Sequence, residues 1–197
     1  MIGVFGGTFD PIHVGHLAIA DEVAGAFQMD QVLFVPNSRS PLRQTPIASG
    51  RDRSEMCRLA TCANPDFSVS TVDIDRDGPS YAIDTFAILR GAYPDDELVL
   101  IAGMDILNEL LEWRDTSKLL ENTLLIIVER PGFDEAKLTH VARELGAEDR
   151  ILPHRTTPLD ISSTEIRRRI KAGLAHRYYL HEQVYQYIVR HGLYADR

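Results

Sequence analysis

The chain has 197 residues, of which 44% are hydrophobic and 25% are charged, and its formal net charge is −8. This composition is ordinary for a globular protein with one ample core, and the negative charge argues against nucleic-acid or membrane-surface binding, because both need a basic face. No apolar run approaches the ~20 residues of a membrane helix, and no basic stretch typical of a signal peptide precedes the first predicted strand. The two cysteines fall on different faces of one predicted helix, so we expect no disulfide framework and a cytoplasmic location.

The first predicted unit is a strand, a glycine loop and a helix, in that order. An apolar run stops at Gly6 and Gly7, and apolar residues recur at helical spacing from about Gly15. Two glycines let the backbone approach a ligand closely, and the free N–H groups of the first helical turn attract anions. His13 and His16 stand three residues apart at this helix start, so both should face whatever the loop holds. Taken separately, each feature is more often an ordinary part of an α/β protein than a functional site.

Strands and helices then alternate along the chain. Strands are predicted at residues 31–35, 67–72, 98–102, 123–128 and 150–152, and helices at 50–63, 81–91 and 134–145. Ser49 with Asp52 is expected to cap the second helix and Ser80 the third. The alternation predicts an α/β fold with a doubly wound parallel sheet, in which ligands bind beyond the carboxyl ends of the strands. The loop of residues 36–49 is long and contains three prolines, so it is expected to be functional or mobile.

The last forty residues are predicted to be helical. One helix starts in the segment Ile161–Arg167, capped by Ser162 or Ser163, and ends at Gly173, and a second covers residues 181–190. Hydroxyl side chains at a helix start, followed by an arginine one turn later, can form a second anion site. From the pattern alone, an ordinary capped helix with three solvated arginines is the better supported alternative.

Two motifs nevertheless resemble those of a known superfamily. Residues 6–16, GGTFDPIHVGH, resemble the first motif of the nucleotidylyltransferase superfamily, whose signature H-x-G-H matches residues 13–16. Residues 161–167, ISSTEIR, resemble its second motif, ISSTxxR, about 150 residues later and in the right order. Further matches, which cover essentially the whole chain, look like nicotinate mononucleotide adenylyltransferase: Gly78-Pro79-Ser80-Tyr81, Asp84-Thr85, Gly103 with Asp105, Trp113, Glu129-Arg130-Pro131-Gly132 and Gly192-Leu193-Tyr194.

The resemblance implies both a reaction and an organisation of the chain. AMP would pass from ATP to nicotinate mononucleotide, giving deamido-NAD and pyrophosphate in NAD biosynthesis. The implied fold is a Rossmann-like domain, residues 1–160, with a small helical C-terminal part, residues 161–197, that carries ISSTEIR. Because the attacking phosphate is already anionic, the enzyme needs positioning and charge stabilisation rather than a general base. Mg²⁺ would bridge the phosphates and keep most of its waters, without a cage of protein ligands.

The resemblance also assigns residues to roles. The expected catalytic residues are His13, His16 and Arg167. The expected ATP-binding residues are Gly6, Gly7, Thr8, Phe9, His13, His16, Gly103, Asp105, Ile161, Ser162, Ser163, Thr164 and Arg167. The expected mononucleotide-binding residues are Asn37, Arg43, Tyr81, Thr85, Asp105, Trp113 and Arg130. In this assignment Ser163 and Arg167 hold the pyrophosphate, and backbone N–H groups near Thr85 and Trp113 receive the nicotinate carboxylate.

Two of these roles have ordinary alternatives, and two positions depart from the family. Asp105 could instead cap a helix, and Trp113 could be a core residue. Leu42 stands where the loop after the second strand usually has histidine, and Ala82 stands where threonine is usual. The loop keeps its basic residue as Arg43, so the activity class is unaffected while mononucleotide affinity is in question.

Other functions compete with this interpretation. A pantetheine-phosphate adenylyltransferase or a cytidylyltransferase would share the first motif, but pantetheine-phosphate enzymes are typically shorter and lack the PSYxxDT and RPG elements. A nucleotide-sensing regulator on the same scaffold would be expected to lose His13, His16 or Arg167, and all three are present. The expected partners are small-molecule substrates, with no nucleic acid and no membrane; a homo-oligomer is compatible with the sequence, which does not determine the oligomeric state.

Overall fold

The computed structural model describes residues 1–42, 44–129 and 134–195. Its strands are β1 (Ile2–Gly7), β2 (Gln31–Pro36), β3 (Phe67–Val69), β4 (Leu98–Gly103), β5 (Leu124–Glu129) and β6 (Ile151–Arg155). Its α-helices are α1 (Val14–Phe27), α2 (Gly50–Thr61), α3 (Ala82–Ala92), α4 (Thr116–Leu120), α5 (Glu135–Leu145), α6 (Ser163–Lys171) and α7 (Glu182–His191). Short 3₁₀ helices lie at Met104–Asn108, Leu110–Glu112 and Arg177–Tyr179.

All six strands pair in parallel in the order β3-β2-β1-β4-β5-β6. Val4 of β1 lies opposite Leu33 on one side and Leu100 on the other. The chain winds outward in one direction from β1 and then in the other from β4, so the strand order reverses between these two strands. The predicted doubly wound α/β sheet is therefore confirmed, and its switch point is where such folds bind ligands.

Helices bury both faces of the sheet. Alternate side chains of one strand point to opposite faces, so Val4 packs on the side of α3 and α5, whereas Phe5 packs on the side of α1, α2, α6 and α7. Ile166 and Val184, from the two C-terminal helices, belong to the same apolar cluster as Phe5. The predicted boundary at residue 160 thus separates two kinds of secondary structure that share one core.

Several predicted boundaries need correction. The third strand ends at Val69 rather than residue 72, because the chain then turns with the amides of Ile74 and Asp75 bonded to the carbonyl of Thr71. The sixth strand continues to Arg155, through Pro153, as an edge strand can. The second helix ends at Thr61, two residues before its predicted end.

Of the caps predicted for the second and third helices, only the first is correct. Ser49 accepts the amide of Asp52, at 3.1 Å, and caps α2. The prediction that Ser80 caps α3 is wrong, because Tyr81 holds the capping position and gives no side-chain cap. The Ser80 hydroxyl instead accepts the amide of Ser38 at 2.9 Å. This bond ties the loop before α3 to the loop after β2, a long-range contact that local sequence does not reveal.

Two further expectations concern the cysteines and the membrane. Cys57 is buried and Cys62 is exposed, and both are free thiols, as their spacing predicted. Across the ranges that the structure describes, no helix is long and apolar enough to cross a bilayer.

Candidate active site

A cleft of about 590 Å³ opens at the carboxyl ends of the central strands. Its walls are the loops that follow β1, β2 and β4 and the first turns of α1, α3 and α6. Seventeen of the residues predicted for the site line this cleft: Gly6, Gly7, Thr8, Phe9, His13, His16, Asn37, Tyr81, Thr85, Gly103, Asp105, Trp113, Ile161, Ser162, Ser163, Thr164 and Arg167. The other two, Arg43 and Arg130, lie outside the described residues.

The two histidines stack against each other at the start of α1. Their ring centroids are 3.7 Å apart with an interplanar angle of 26°, and His13 is 4% exposed. The backbone N–H of His13 donates to Nδ1 of His16 at 3.2 Å, so a neutral His16 carries its proton on Nε2. The ring of Phe9 meets His16 edge-on, with centroids 5.1 Å apart. His16 is thereby oriented as a hydrogen-bond donor toward the cleft.

Gly6 and Gly7 were expected in a loop, but they form the carboxyl end of β1, paired with Val35 and Pro36 of β2, and they serve different purposes. A Cβ atom on Gly6 would meet nothing within 4 Å, so this position leaves the cleft open to a ligand. A Cβ on Gly7 would lie 2.8 Å from the Phe9 ring, so Gly7 is required by packing. Phe9 is buried with φ of 49°, a left-handed conformation that is unusual for a bulky residue. Both glycines line the cleft, but only at Gly7 does packing within the protein require the missing side chain.

The second motif contacts the first directly. Arg167 donates from Nη1 to the carbonyl of Asp10 at 2.6 Å and from Nη2 to the hydroxyl of Thr164 at 3.3 Å. Ser162 caps α6 by accepting the amide of Glu165 at 3.2 Å. The Ser163 hydroxyl donates to the carbonyl of Pro11 at 2.9 Å. Because that hydroxyl proton is already used, Ser163 can offer a phosphate its backbone N–H rather than its O–H.

The three consecutive arginines of α6 divide between the two predicted environments. Arg167 lines the cleft. Arg168 and Arg169 both pair with Glu165, at 2.7 and 2.8 Å. Hydrogen bonding from Arg168, with a further contribution from Arg169, lowers the pKa of Glu165 to about 2. Arg167 therefore faces the cleft, while its two neighbours are engaged with Glu165.

The opposite wall carries the residues expected for the mononucleotide. Trp113 is half-buried, and it both packs against the core and lines the cleft, so a core position does not exclude contact with a ligand. Asp105 is exposed within Met104–Asn108, where Gly103 holds the capping position, so the helix-cap alternative for Asp105 is wrong. The backbone N–H of Asn37 donates to the carbonyl of Gly7 at 2.9 Å, which holds the residue after β2 against the end of β1.

The backbone N–H groups of Thr85 and Trp113 are themselves not available for a carboxylate. Thr85 donates its amide to the carbonyl of Tyr81 at 3.1 Å, and Trp113 donates to Leu110 at 3.4 Å. The Thr85 hydroxyl donates to buried Asp73 at 2.7 Å. The nearby N–H groups of Ala82 and Ile83 begin α3 and therefore lack acceptors within the helix.

Two arginines that the sequence did not single out shape the cleft. Arg114 lies over the ring of Tyr81, 4.0 Å from its centroid, and pairs with Asp84. Arg53, only 1% exposed, donates to the carbonyls of Thr8 at 2.7 Å, Ser38 at 3.2 Å and Ala48 at 3.3 Å. Burial lowers the pKa of Arg53, an effect that the charge of Asp10 opposes. No local signal distinguishes Arg53 from an exposed helix residue, because its three acceptors come from loops.

Comparison with known proteins agrees with this site. The family model described as cytidylyltransferase-like matches residues 4–169. Relatives named "Probable nicotinate-nucleotide adenylyltransferase" include one from Thermus thermophilus, 42% identical over 98% of both chains. Another, from Clavibacter michiganensis, is 44% identical over 99% of this chain and 94% of the relative.

A solved structure shows the same fold at much lower identity. The nicotinic acid mononucleotide adenylyltransferase of Plasmodium falciparum, solved as a complex with NaAD, superposes with a TM-score of 0.78. The two sequences are 19% identical, and the alignment covers 98% of this chain and 96% of the other. At 19% identity this structure supports the fold alone. The bacterial relatives, at about 40% identity over nearly the full chain, identify the family within that fold. The chain belongs to the cytidylyltransferase-like family and, within it, to the nicotinate-nucleotide adenylyltransferases.

Proposed function

We propose that the cleft between β1 and β4 transfers AMP from ATP to nicotinate mononucleotide, producing deamido-NAD and pyrophosphate in NAD biosynthesis. An oxygen of the mononucleotide phosphate attacks the α-phosphorus of ATP, and the bond from that phosphorus to the pyrophosphate oxygen breaks. The attacking group is already an anion at neutral pH, so the protein must align the two phosphates and stabilise the charge that develops between them. The observation that carries this proposal is that Arg167 and the stacked histidines line one cleft, where Arg167 also donates to the carbonyl of Asp10 in the first motif.

The ATP phosphates occupy the wall formed by the two motifs. His16 donates from Nε2, His13 stands beside it, and Arg167 faces the pyrophosphate that leaves. The first turns of α1 and α6 add backbone N–H groups to this wall, and Gly6 leaves room for the phosphates above the strand. Preorganised donors of this kind act mainly in the transition state, where negative charge moves onto the leaving group.

The mononucleotide occupies the opposite wall. Trp113 offers a ring face for the nicotinate, and the N–H groups of Ala82 and Ile83 at the start of α3 receive its carboxylate. Asp105 accepts from a ribose hydroxyl, and Asn37 and Tyr81 line the same cleft. Arg43 and Arg130 remain predicted partners of the mononucleotide phosphate on the basis of the sequence alone.

The divalent cation that accompanies ATP is proposed to be Mg²⁺. In the described parts of the chain, no group of three or more histidine, cysteine, aspartate or glutamate side chains forms a metal cage. The carboxylate of Asp10, beside the phosphate wall, is taken up by protein donors. Because Asp10 is engaged with protein donors, the proposed ion is held by phosphate oxygens and water, as Mg²⁺ usually is in such sites. We further propose that the reaction takes place in the cytoplasm.

The direct test is turnover of the purified protein. With ATP, Mg²⁺ and nicotinate mononucleotide, pyrophosphate and deamido-NAD should appear in equal amounts, measured by a coupled assay and by chromatography. Parallel reactions replace ATP by cytidine triphosphate, or the mononucleotide by pantetheine phosphate. Turnover of either replacement, with none of nicotinate mononucleotide, would assign the chain to a sibling activity. Nucleotide binding without any turnover would instead support a regulator.

A further inference from the structure

A buried carboxylate lies directly behind the phosphate wall. Asp10 is 4% exposed, and its side chain accepts three hydrogen bonds from protein donors. Two come from the amides of Ile47, at 2.8 Å, and Ala48, at 3.1 Å. The third comes from the hydroxyl of Tyr194, at 2.8 Å. With its oxygens directed at these donors, Asp10 acts as a structural hub between three segments of the chain.

Tyr194 reaches this hub from the segment that follows α7. It is 184 residues away from Asp10 along the chain, so the bond depends entirely on how the C-terminal helices pack. Its φ of 66° lies in the left-handed region, which a bulky residue rarely adopts. Such strain persists only where the surrounding structure holds it, and it is concentrated at functional sites. Burial, with the nearby charge of Asp10, raises the pKa of Tyr194, so the hydroxyl stays protonated and donates.

The hub connects Tyr194 to the residues that face the substrate. The carbonyl of Asp10 accepts Nη1 of Arg167 at 2.6 Å, so the orientation of Asp10 sets the position of this guanidinium. Phe9, which precedes Asp10 in the chain and lines the cleft, also has a positive φ. The Ile47 and Ala48 bonds fix the end of the loop of residues 36–49 against the same point.

We propose that Tyr194 is a positioning residue for adenylyl transfer, because its hydroxyl completes the donor set of Asp10 and thereby fixes Arg167 and residues 47–48 at the cleft. This inference rests on the proposed function of the cleft. Since Arg167 faces the leaving pyrophosphate, a displaced hub affects the chemical step more than the binding of either substrate.

The test removes one hydroxyl and uses a matched control. Tyr194→Phe keeps the buried ring and deletes the bond to Asp10. Tyr187→Phe deletes an equivalent bond from α7, in which the Tyr187 hydroxyl donates to Asp52 at 2.9 Å, away from the cleft. We expect Tyr194→Phe to lower kcat about tenfold, as for loss of a hydrogen bond to a charged group, with both KM values within about twofold. Tyr187→Phe should keep the wild-type kcat.

A double-mutant cycle shows whether the effect passes through Asp10. Asp10→Asn should lower kcat by itself, and adding Tyr194→Phe to it should cost less than about twofold more, because the two residues act as one unit. Fully additive losses, or a Tyr194→Phe enzyme as active as the Tyr187→Phe control, would overturn the inference.

A measurement that needs no turnover separates this inference from the proposed function. Hydrogen exchange of the Ile47 and Ala48 amides should become at least about tenfold faster in Tyr194→Phe and stay unchanged in Tyr187→Phe. If the wild-type protein makes no pyrophosphate, the proposed function fails while this exchange result still tests the hub. Unchanged exchange in Tyr194→Phe would refute the link between Tyr194 and the loop.

Discussion

Replacing His16 by alanine removes two interactions at once, and the structure allows them to be separated. The first is the proposed donation from Nε2 to the phosphates, for which Nε2 carries the proton because Nδ1 accepts the backbone N–H of His13 at 3.2 Å. Loss of one donor aimed at transition-state charge typically costs ~10²–10³ in kcat. The second is the Nδ1 acceptor itself, which satisfies an N–H at the start of α1. Loss of a helix cap costs roughly 1 kcal/mol, which corresponds to a melting temperature lower by about 2–4 °C in a chain of this size.

His16→Asn is the variant that separates these two effects. The Oδ1 atom of asparagine occupies the place of Nδ1 and can accept the same N–H, but asparagine has no group that reaches the place of Nε2. We expect kcat to fall at least about 10²-fold in both variants. Only His16→Ala should also show the lower melting temperature that results from loss of the cap. Steady-state kinetics and calorimetry measure the two effects. If His16→Asn keeps more than about a tenth of the wild-type kcat, His16 is not the donor that the transition state requires.

Three other perturbations test the remaining parts of the site. Nicotinate mononucleotide should be preferred over its amide at least about tenfold in kcat/KM, because an amide would turn a donor toward the N–H groups of α3; equal values would contradict this pocket. Arg53→Met should lower the free energy of unfolding by at least about 3 kcal/mol, because three carbonyls lose their donor, whereas Arg58→Met, at an exposed position of the same helix, should change it by less than about 0.5 kcal/mol in a denaturant titration. Arg43→Ala should raise KM for the mononucleotide about tenfold and leave KM for ATP unchanged, because a charge-assisted hydrogen bond to the phosphate is lost. Leu42→His should lower KM for the mononucleotide or leave it unchanged. If KM for the mononucleotide in Arg43→Ala stays within about twofold of wild type, the loop does not bind the phosphate.

The elements that local pattern controls were predictable. The first strand, apart from its end at Gly7, the helix start after His13 and the Ser49 cap all depend on residues a few positions apart, so their signals lie within one window of sequence. The buried strands β4 and β5 were equally clear, because continuous apolar runs are typical of strands covered on both faces. The α/β alternation also predicts a ligand site at the carboxyl edge of the sheet, which is where the cleft lies.

The roles of the motif residues depended on resemblance rather than on pattern. By themselves, three arginines in a row predict a solvated helix face, and that is correct for Arg168, whereas Arg169 is half-buried over the ring of Tyr179. Arg167 differs only because its turn of α6 faces the glycine loop, where it meets the carbonyl of Asp10 at a separation of 157 residues. A helix pattern shows which residues share a face, but it does not show what lies opposite that face.

Tertiary structure alone decided which polar groups hold the site together. Arg53 looks like a surface residue in the sequence, and it is buried because three loop carbonyls surround it. The Ser80 hydroxyl accepts the backbone N–H of Ser38 instead of capping α3. Tyr194, near the other end of the chain, donates its hydroxyl to Asp10. Buried polar groups that have no partner within a helix or a strand must form hydrogen bonds with other segments when the loops pack. Their partners therefore depend on the assembled fold. The sequence by itself thus determined the layers of the fold and the edge of the sheet at which the cleft lies, whereas packing between distant segments determined how the residues that line the cleft are held in place.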